Sequence, residues 1–199
     1  MLKKGFFVCI EGLDGCGKTT QAKLLVERLK ESYNAVYTAE PTEGHIGRFI
    51  KEYCLHGSNR GSAVVEALLF AADRFEHVHN EIVPALRKGM LVVSDRYLYS
   101  SLAYQGAAGV DLDWIKRVNE HAVRPDLALF VDVEPEVVMG RLKLKKSVME
   151  NLATQRAVRE VYLRFVDSGE LVLVDGNQTK EKVSEEILER VLSFLERVC

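Results

Sequence analysis

Gly12-Leu13-Asp14-Gly15-Cys16-Gly17-Lys18-Thr19 fits G-x-x-x-x-G-K-[ST] at every fixed position. Before it, Gly5-Phe6-Phe7-Val8-Cys9-Ile10 reads as a buried strand. After it, Thr20 to Leu29 reads as a helix, with Leu25, Arg28 and Leu29 at helical spacing. A strand, a glycine loop and a helix start together make a phosphate cradle. Glycine permits the backbone conformations that turn successive N–H groups inward, and the helix N-terminus adds a dipole that favours an anion. In such a cradle Lys18 reaches the β- and γ-phosphates and the Thr19 hydroxyl can hold Mg²⁺. Cys16, inside the loop, is either an oxidation-sensitive thiol or a small residue filling a tolerant position.

Working outward, strand and helix patterns alternate from end to end. Strands are expected at Ala35 to Ala39, Met90 to Asp95, Leu127 to Val133 and Leu171 to Val174. Helices are expected at Ile46 to Leu55, Ser62 to Lys88 with a bend near Pro84, Asp111 to Val123 with Asp111 as N-cap, Pro135 to Leu144, Asn151 to Val166 and Thr179 to Val198. Five strands alternating with helices predict an α/β domain, a five-stranded parallel sheet with helices on both faces. Ligands bind such sheets at the carboxyl ends of the strands. Glu40-Pro41-Thr42, Asp95-Arg96, Asp132 and Asp175-Gly176 all fall just past strand ends, on the rim that carries the phosphate loop.

The bulk composition narrows the partners. A chain of 199 residues suits one domain with an ample core, and 47% hydrophobic with 28% charged residues is ordinary for a globular protein. The net charge of −2 offers no global field for nucleic acid. Four cysteines without C-x-x-C or metal spacing argue for a reducing compartment, and no apolar run reaches membrane-spanning length. No signal peptide is recognisable, so a cytoplasmic location is expected.

The second constellation is Asp95-Arg96-Tyr97-Leu98-Tyr99-Ser100-Ser101-Leu102-Ala103-Tyr104-Gln105-Gly106. An aspartate at a strand end beside a phosphate loop can orient Mg²⁺ or its waters, and the arginine next to it offers a planar fork for a phosphate.

Here the chain resembles the thymidylate kinases. Glu11 to Thr19 is similar to that family's phosphate loop, and Asp95 to Gly106 to its D-R-Y-x-x-S-x-x-A-Y-Q-G segment. Phe70-Ala71-Ala72-Asp73-Arg74 is similar to its base-binding helix, and Pro125 to Glu136 to its fourth strand and following turn. The resemblance implies the three-layer P-loop NTPase fold over residues 1–199, with a short lid at about 141–155. It also implies Mg-dependent transfer of the ATP γ-phosphoryl to dTMP, giving dTDP and ADP. Phe70 would stack on thymine and Arg74, one helical turn on, would bond a thymine carbonyl; the i, i+4 spacing puts both on one face. Asp14 would meet the sugar 3′-hydroxyl and Arg96 the acceptor phosphate. Ser101 and Gln105 would lie near the base, Tyr104 would crowd the 2′ position, and Glu40 and Pro41 would floor the site. Thr19 and Asp95 would serve the metal.

Two departures stand out. Relatives often carry arginine before Glu-Pro, where this chain has Ala39, with Arg48 a candidate substitute. The lid stretch Arg141-Leu142-Lys143-Leu144-Lys145-Lys146 has lysines where arginines are common. Lys143 or Lys145 is the expected transition-state cation, Arg141 the expected stacking partner of adenine, and a solvated basic helix end the plain alternative. A homodimer is expected, with Val64, Val65, Leu68 and Leu69 as its face or as core. The competing functions are a kinase for another nucleotide, such as dUMP, or a nucleotide-dependent switch, which would need no second phosphate site.

Overall fold

A computed structural model describes residues 4–55, 61–141 and 151–198. The five strands are β1 (Phe6–Gly12), β2 (Ala35–Ala39), β3 (Leu91–Asp95), β4 (Leu127–Asp132) and β5 (Val172–Asp175). They form one sheet in the order β2-β3-β1-β4-β5, with every pairing parallel. Parallel neighbours cannot be joined by a tight hairpin, so each connection crosses over the sheet through helix. That is why strand and helix alternate along the chain. The central strand β1 is buried on both faces, which explains its unbroken apolar run.

The helices are α1 (Lys18–Leu29), α2 (His45–Ile50), α3 (Ala63–His77), α4 (Val83–Arg87), α5 (Leu98–Ala107), α6 (Leu112–Val118), α7 (Pro135–Arg141), α8 (Leu152–Asp167) and α9 (Lys180–Val198). Helix α1 packs against α9, and α5 against α8. The core runs from Phe7, Val8 and Ile10 through Val93 and Leu129 to Phe130 and Tyr162, whose rings stack 4.6 Å apart.

The long helical region ending at Lys88 is interrupted rather than simply bent. A wide π turn, Val78–Ile82, separates α3 from α4. Pro84 lacks an N–H, so the ladder loses a bond where the turn widens. Asp111 caps α6 as expected, accepting from the Trp114 N–H at 2.7 Å. The helix stops at Val118 rather than Val123, because Asn119 turns its side-chain amide back onto the Ile115 carbonyl at 2.8 Å.

Candidate active site

The phosphate loop sits between β1 and α1. Its last glycine, Gly17, is left-handed (φ 97°) and starts α1 with no side-chain cap. The first-turn N–H groups are therefore left for an anion rather than for the protein. Gly12 has to be glycine. A Cβ there would stand 2.6 Å from the Cys16 Sγ and 3.0 Å from the Val131 carbonyl oxygen. Cys16 is buried under that contact, and burial pushes its thiol upward, so it fills the loop as a thiol rather than a reactive thiolate. Lys18 is folded onto the loop, donating to the Leu13 carbonyl at 3.1 Å.

Thr19 donates its hydroxyl to Asp95 Oδ2. The other oxygen, Asp95 Oδ1, is buried without a hydrogen-bond partner among the described residues. A hydroxyl beside an under-satisfied carboxylate, next to a phosphate cradle, is a hard-oxygen donor set that fits Mg²⁺. The Tyr37 hydroxyl stands 3.5 Å from Asp95 Oδ2. Burial, reinforced by Asp95, pushes its phenol up to about 12, so it stays neutral.

Beside the loop opens a cavity. Every residue expected on the acceptor side lines it: Asp14, Glu40, Pro41, Phe70, Arg74, Arg96, Ser101, Tyr104 and Gln105. Tyr97 and Ser100, to which no role was given on sequence, line it as well. Four segments distant in the chain meet here because β2, β1 and β3 end on one rim and α3 and α5 cross above them.

Arg74 is 1% exposed and heavily bonded. Its Nη1 donates to Asn119 Oδ1 at 2.7 Å; its Nη2 faces Glu40 Oε2 at 2.8 Å, Ser101 Oγ at 3.0 Å and the Tyr97 carbonyl at 3.1 Å. The Tyr97 ring lies against the guanidinium, 5.1 Å from its centre. Only Nε lacks a partner among the described residues. One buried N–H of Arg74 is thus left over.

Arg96 is held differently. Its backbone is left-handed (φ 70°), a strained conformation for a residue other than glycine. Its guanidinium pairs with Asp14, bonds Ser100 Oγ at 2.9 Å and the Gly12 carbonyl at 3.2 Å, and lies 5.1 Å from the Tyr104 ring centre. Burial works against the Asp14 carboxylate, but Arg96 and Lys18 outweigh it and hold its carboxyl below the ordinary value. The Tyr104 hydroxyl accepts from the Asp14 N–H at 3.0 Å.

Sequence reasoning missed the polar layer beneath these side chains. Glu11, fully buried at the end of β1, accepts from the Tyr97 N–H at 2.9 Å and from Ser100 Oγ at 2.6 Å, with the Tyr162 hydroxyl at 3.1 Å. Burial pushes its carboxyl upward, against those hydrogen bonds and the nearby arginines. A carboxylate closing a buried apolar strand was the signal that could have found it. Gln155 of α8 hydrogen-bonds Asp14, so a residue at the end of the expected lid reaches the site.

Some expectations are redirected. Arg48 is exposed, 3.3 Å from the His45 ring, and does not line the cavity, so it does not replace the arginine missing at Ala39. Asp132 lies on the expected rim but is occupied by Arg159, whose Nε and Nη2 meet its oxygens at 2.7 and 2.8 Å. Val64, Val65 and Leu68 are exposed on α3 and are not core. Arg141 ends α7, exposed, whereas Lys143 and Lys145 lie outside the described residues, as does most of the expected lid.

The sequence profile of the family described as thymidylate kinase matches residues 10–187. The chain belongs to the thymidylate kinase family. A relative described as a probable thymidylate kinase from Pyrococcus abyssi is 45% identical over 194 residues, covering 93% of this chain and 95% of its own. One from Pyrobaculum aerophilum is 42% identical over 193 residues, with 94% and 98% covered. Another from Staphylothermus marinus is 40% identical over 196 residues, with 96% of each chain covered. The glycine loop and the lined cavity lie side by side in this structure.

Proposed function

We propose that the cavity beside the phosphate loop is the dTMP site and that the loop holds ATP. The chain is a nucleoside monophosphate kinase, and its reaction phosphorylates dTMP on the way to dTTP. The observation that carries the site assignment is the position of Arg96. It stands where the loop and the cavity meet, bonded to the Gly12 carbonyl on one side and lining the cavity on the other.

In the reaction, a 5′-phosphate oxygen of dTMP forms a bond to the γ-phosphorus of ATP while the bond to the bridging β-oxygen breaks, leaving ADP and dTDP. The acceptor phosphate has a second pKa of about 6 and is largely a dianion at pH 7, so no strong general base is required. The protein's task is alignment and charge stabilisation. Arg96 releases Asp14 and takes the acceptor phosphate, a bidentate pairing that a planar fork favours. Asp14 is then free for the 3′-hydroxyl. Lys18 swings from the Leu13 carbonyl to the β- and γ-phosphates. Phe70 stacks on the base, the spare Arg74 Nε–H meets a base carbonyl, and the Tyr104 ring occupies the space a 2′-hydroxyl would need. Thr19 and Asp95 would hold Mg²⁺, which supplies charge neutralisation between the phosphates when bound. A further cation comes from the lid, with Lys143 the candidate and Arg141 against adenine.

The single domain works as a homodimer through the exposed apolar face of α3, where Val64, Val65 and Leu68 are each more than two-fifths exposed in the lone chain. The buried thiols of Cys9 and Cys16 fit a reducing, cytoplasmic setting. No helix among the described residues is long and apolar enough to cross a membrane.

The test is coupled ADP release with Mg-ATP and the acceptors dTMP, dUMP, UMP, dCMP and thymidine. Turnover should be strong with dTMP, weaker with dUMP and slight with UMP. Inert dTMP beside an active alternative would remove the Phe70 and Arg74 assignment. Acceptor-independent ATP hydrolysis would remove the acceptor site altogether.

A further inference from the structure

Behind the acceptor cavity lies a buried polar chain that the reaction does not use directly. His77, the last residue of α3, is 1% exposed and does not line the cavity. Its Nδ1 is 3.1 Å from Glu40 Oε1, on the carboxylate whose other oxygen meets Arg74. Its Nε2 is 2.6 Å from the Thr38 hydroxyl, and that hydroxyl is 2.7 Å from Glu81 Oε2. Glu81 is half-exposed, 3.7 Å from the ring itself. Asp73, on the same helix, also interacts electrostatically with the ring.

There are three close contacts: Glu40 to ring, ring to Thr38, and Thr38 to Glu81. We propose that His77 is a positioning residue for the acceptor site, bridging Glu40 and, through Thr38, Glu81, so that the Glu40 carboxylate stays turned onto Arg74. The consequence for substrate is specific. With Glu40, Ser101 and Asn119 holding both Nη groups, the Arg74 guanidinium is fixed in the cavity wall. Loosening Glu40 lets the guanidinium rotate. The relay therefore acts on acceptor binding and leaves ATP binding and phosphoryl transfer alone. This inference rests on the cavity being the dTMP site.

The experiment is steady-state kinetics on folded variants. Thr38→Val keeps the ring and removes only the hydroxyl bridge. It should raise KM for dTMP about tenfold, in line with a hydrogen bond to a charged group, with kcat and KM for ATP within about twofold. An unchanged KM for dTMP in a folded Thr38→Val enzyme would overturn the relay. The wild-type control separates the two readings. If wild type fails to phosphorylate dTMP, the acceptor assignment has failed; if it phosphorylates dTMP and Thr38→Val leaves KM unchanged, the relay alone has failed.

Discussion

Arg74 and Arg96 line the same cavity and are built in opposite ways. Arg74 is sealed, with Glu40, Ser101, Asn119 and the Tyr97 carbonyl all bonded to it and one N–H to spare. Arg96 is partly exposed, sits on a strained backbone, and its carboxylate partner Asp14 is itself 27% exposed. The first is prebuilt and contributes to the fold; the second holds a partner that, on the proposed function, substrate displaces. A pocket that recognises a neutral base needs a fixed donor, because one hydrogen bond discriminates only if the geometry cannot adjust. A site that grips a phosphate needs a charge that is available when the phosphate arrives.

The largest effect that would break this contrast is Arg96→Met. Loss of a charge-stabilising donor should lower kcat/KM for dTMP by about 10³, while the variant loses only the small stability of the Asp14–Arg96 pair. A large loss of stability would mean that Arg96 is structural after all. Next is Arg74→Met. It leaves Glu40 buried without its ion-pair partner, and truncating a buried pair costs about 3–5 kcal/mol, which denaturant unfolding would read directly. Replacing Glu40 as well, in Glu40→Leu with Arg74→Met, should restore much of the stability and none of the acceptor binding. Ser101→Ala probes the sealed side more gently. Removing one of several partners should cost about 1 kcal/mol in unfolding and leave ATP binding unchanged.

The smallest expected effect is in pH. The Asp14 carboxyl is held low in the folded chain, so its contribution to stability is complete above the unfolded value of about 3.9. That contribution is lost as pH falls through the lower folded value. Asp14→Asn should therefore flatten the acid limb of a Tm-against-pH curve while leaving its slope above pH 5 unaltered. An unchanged acid limb would show that the Asp14–Arg96 pair adds nothing to the fold.

What the chain revealed in advance follows the same division. The phosphate loop and the Asp95 to Gly106 segment are local patterns, and their residues arrive where their spacing places them. Phe70 and Arg74 share a face because the helix puts i and i+4 together, and both line the cavity. What could not be read was the support. Asn119 closes a short helix, Glu11 ends an apolar strand, and His77 looks like one more polar residue near a helix end. Each matters only through a partner far away in sequence: Arg74 lies 45 residues from Asn119, and Tyr97 lies 86 from Glu11. The same blindness explains the misjudged residues. Arg48 has the right charge, but α2 carries it out to His45, and the end of α6 was displaced by a side chain that competes for the backbone.

The all-parallel strand order also has a kinetic side. Thr19 and Asp95 are separated by 76 residues, and Asp14 and Arg96 by 82, because β1 must wait for β3 before its neighbour exists. Contacts that close loops of this size form late, after the local helices and at a large entropic cost. During refolding, helical signal should return well before nucleotide affinity does. A chain emerging from the ribosome makes its phosphate loop well before β3, and that loop has no carboxylate to face until the 76 residues from Thr19 to Asp95 have been made.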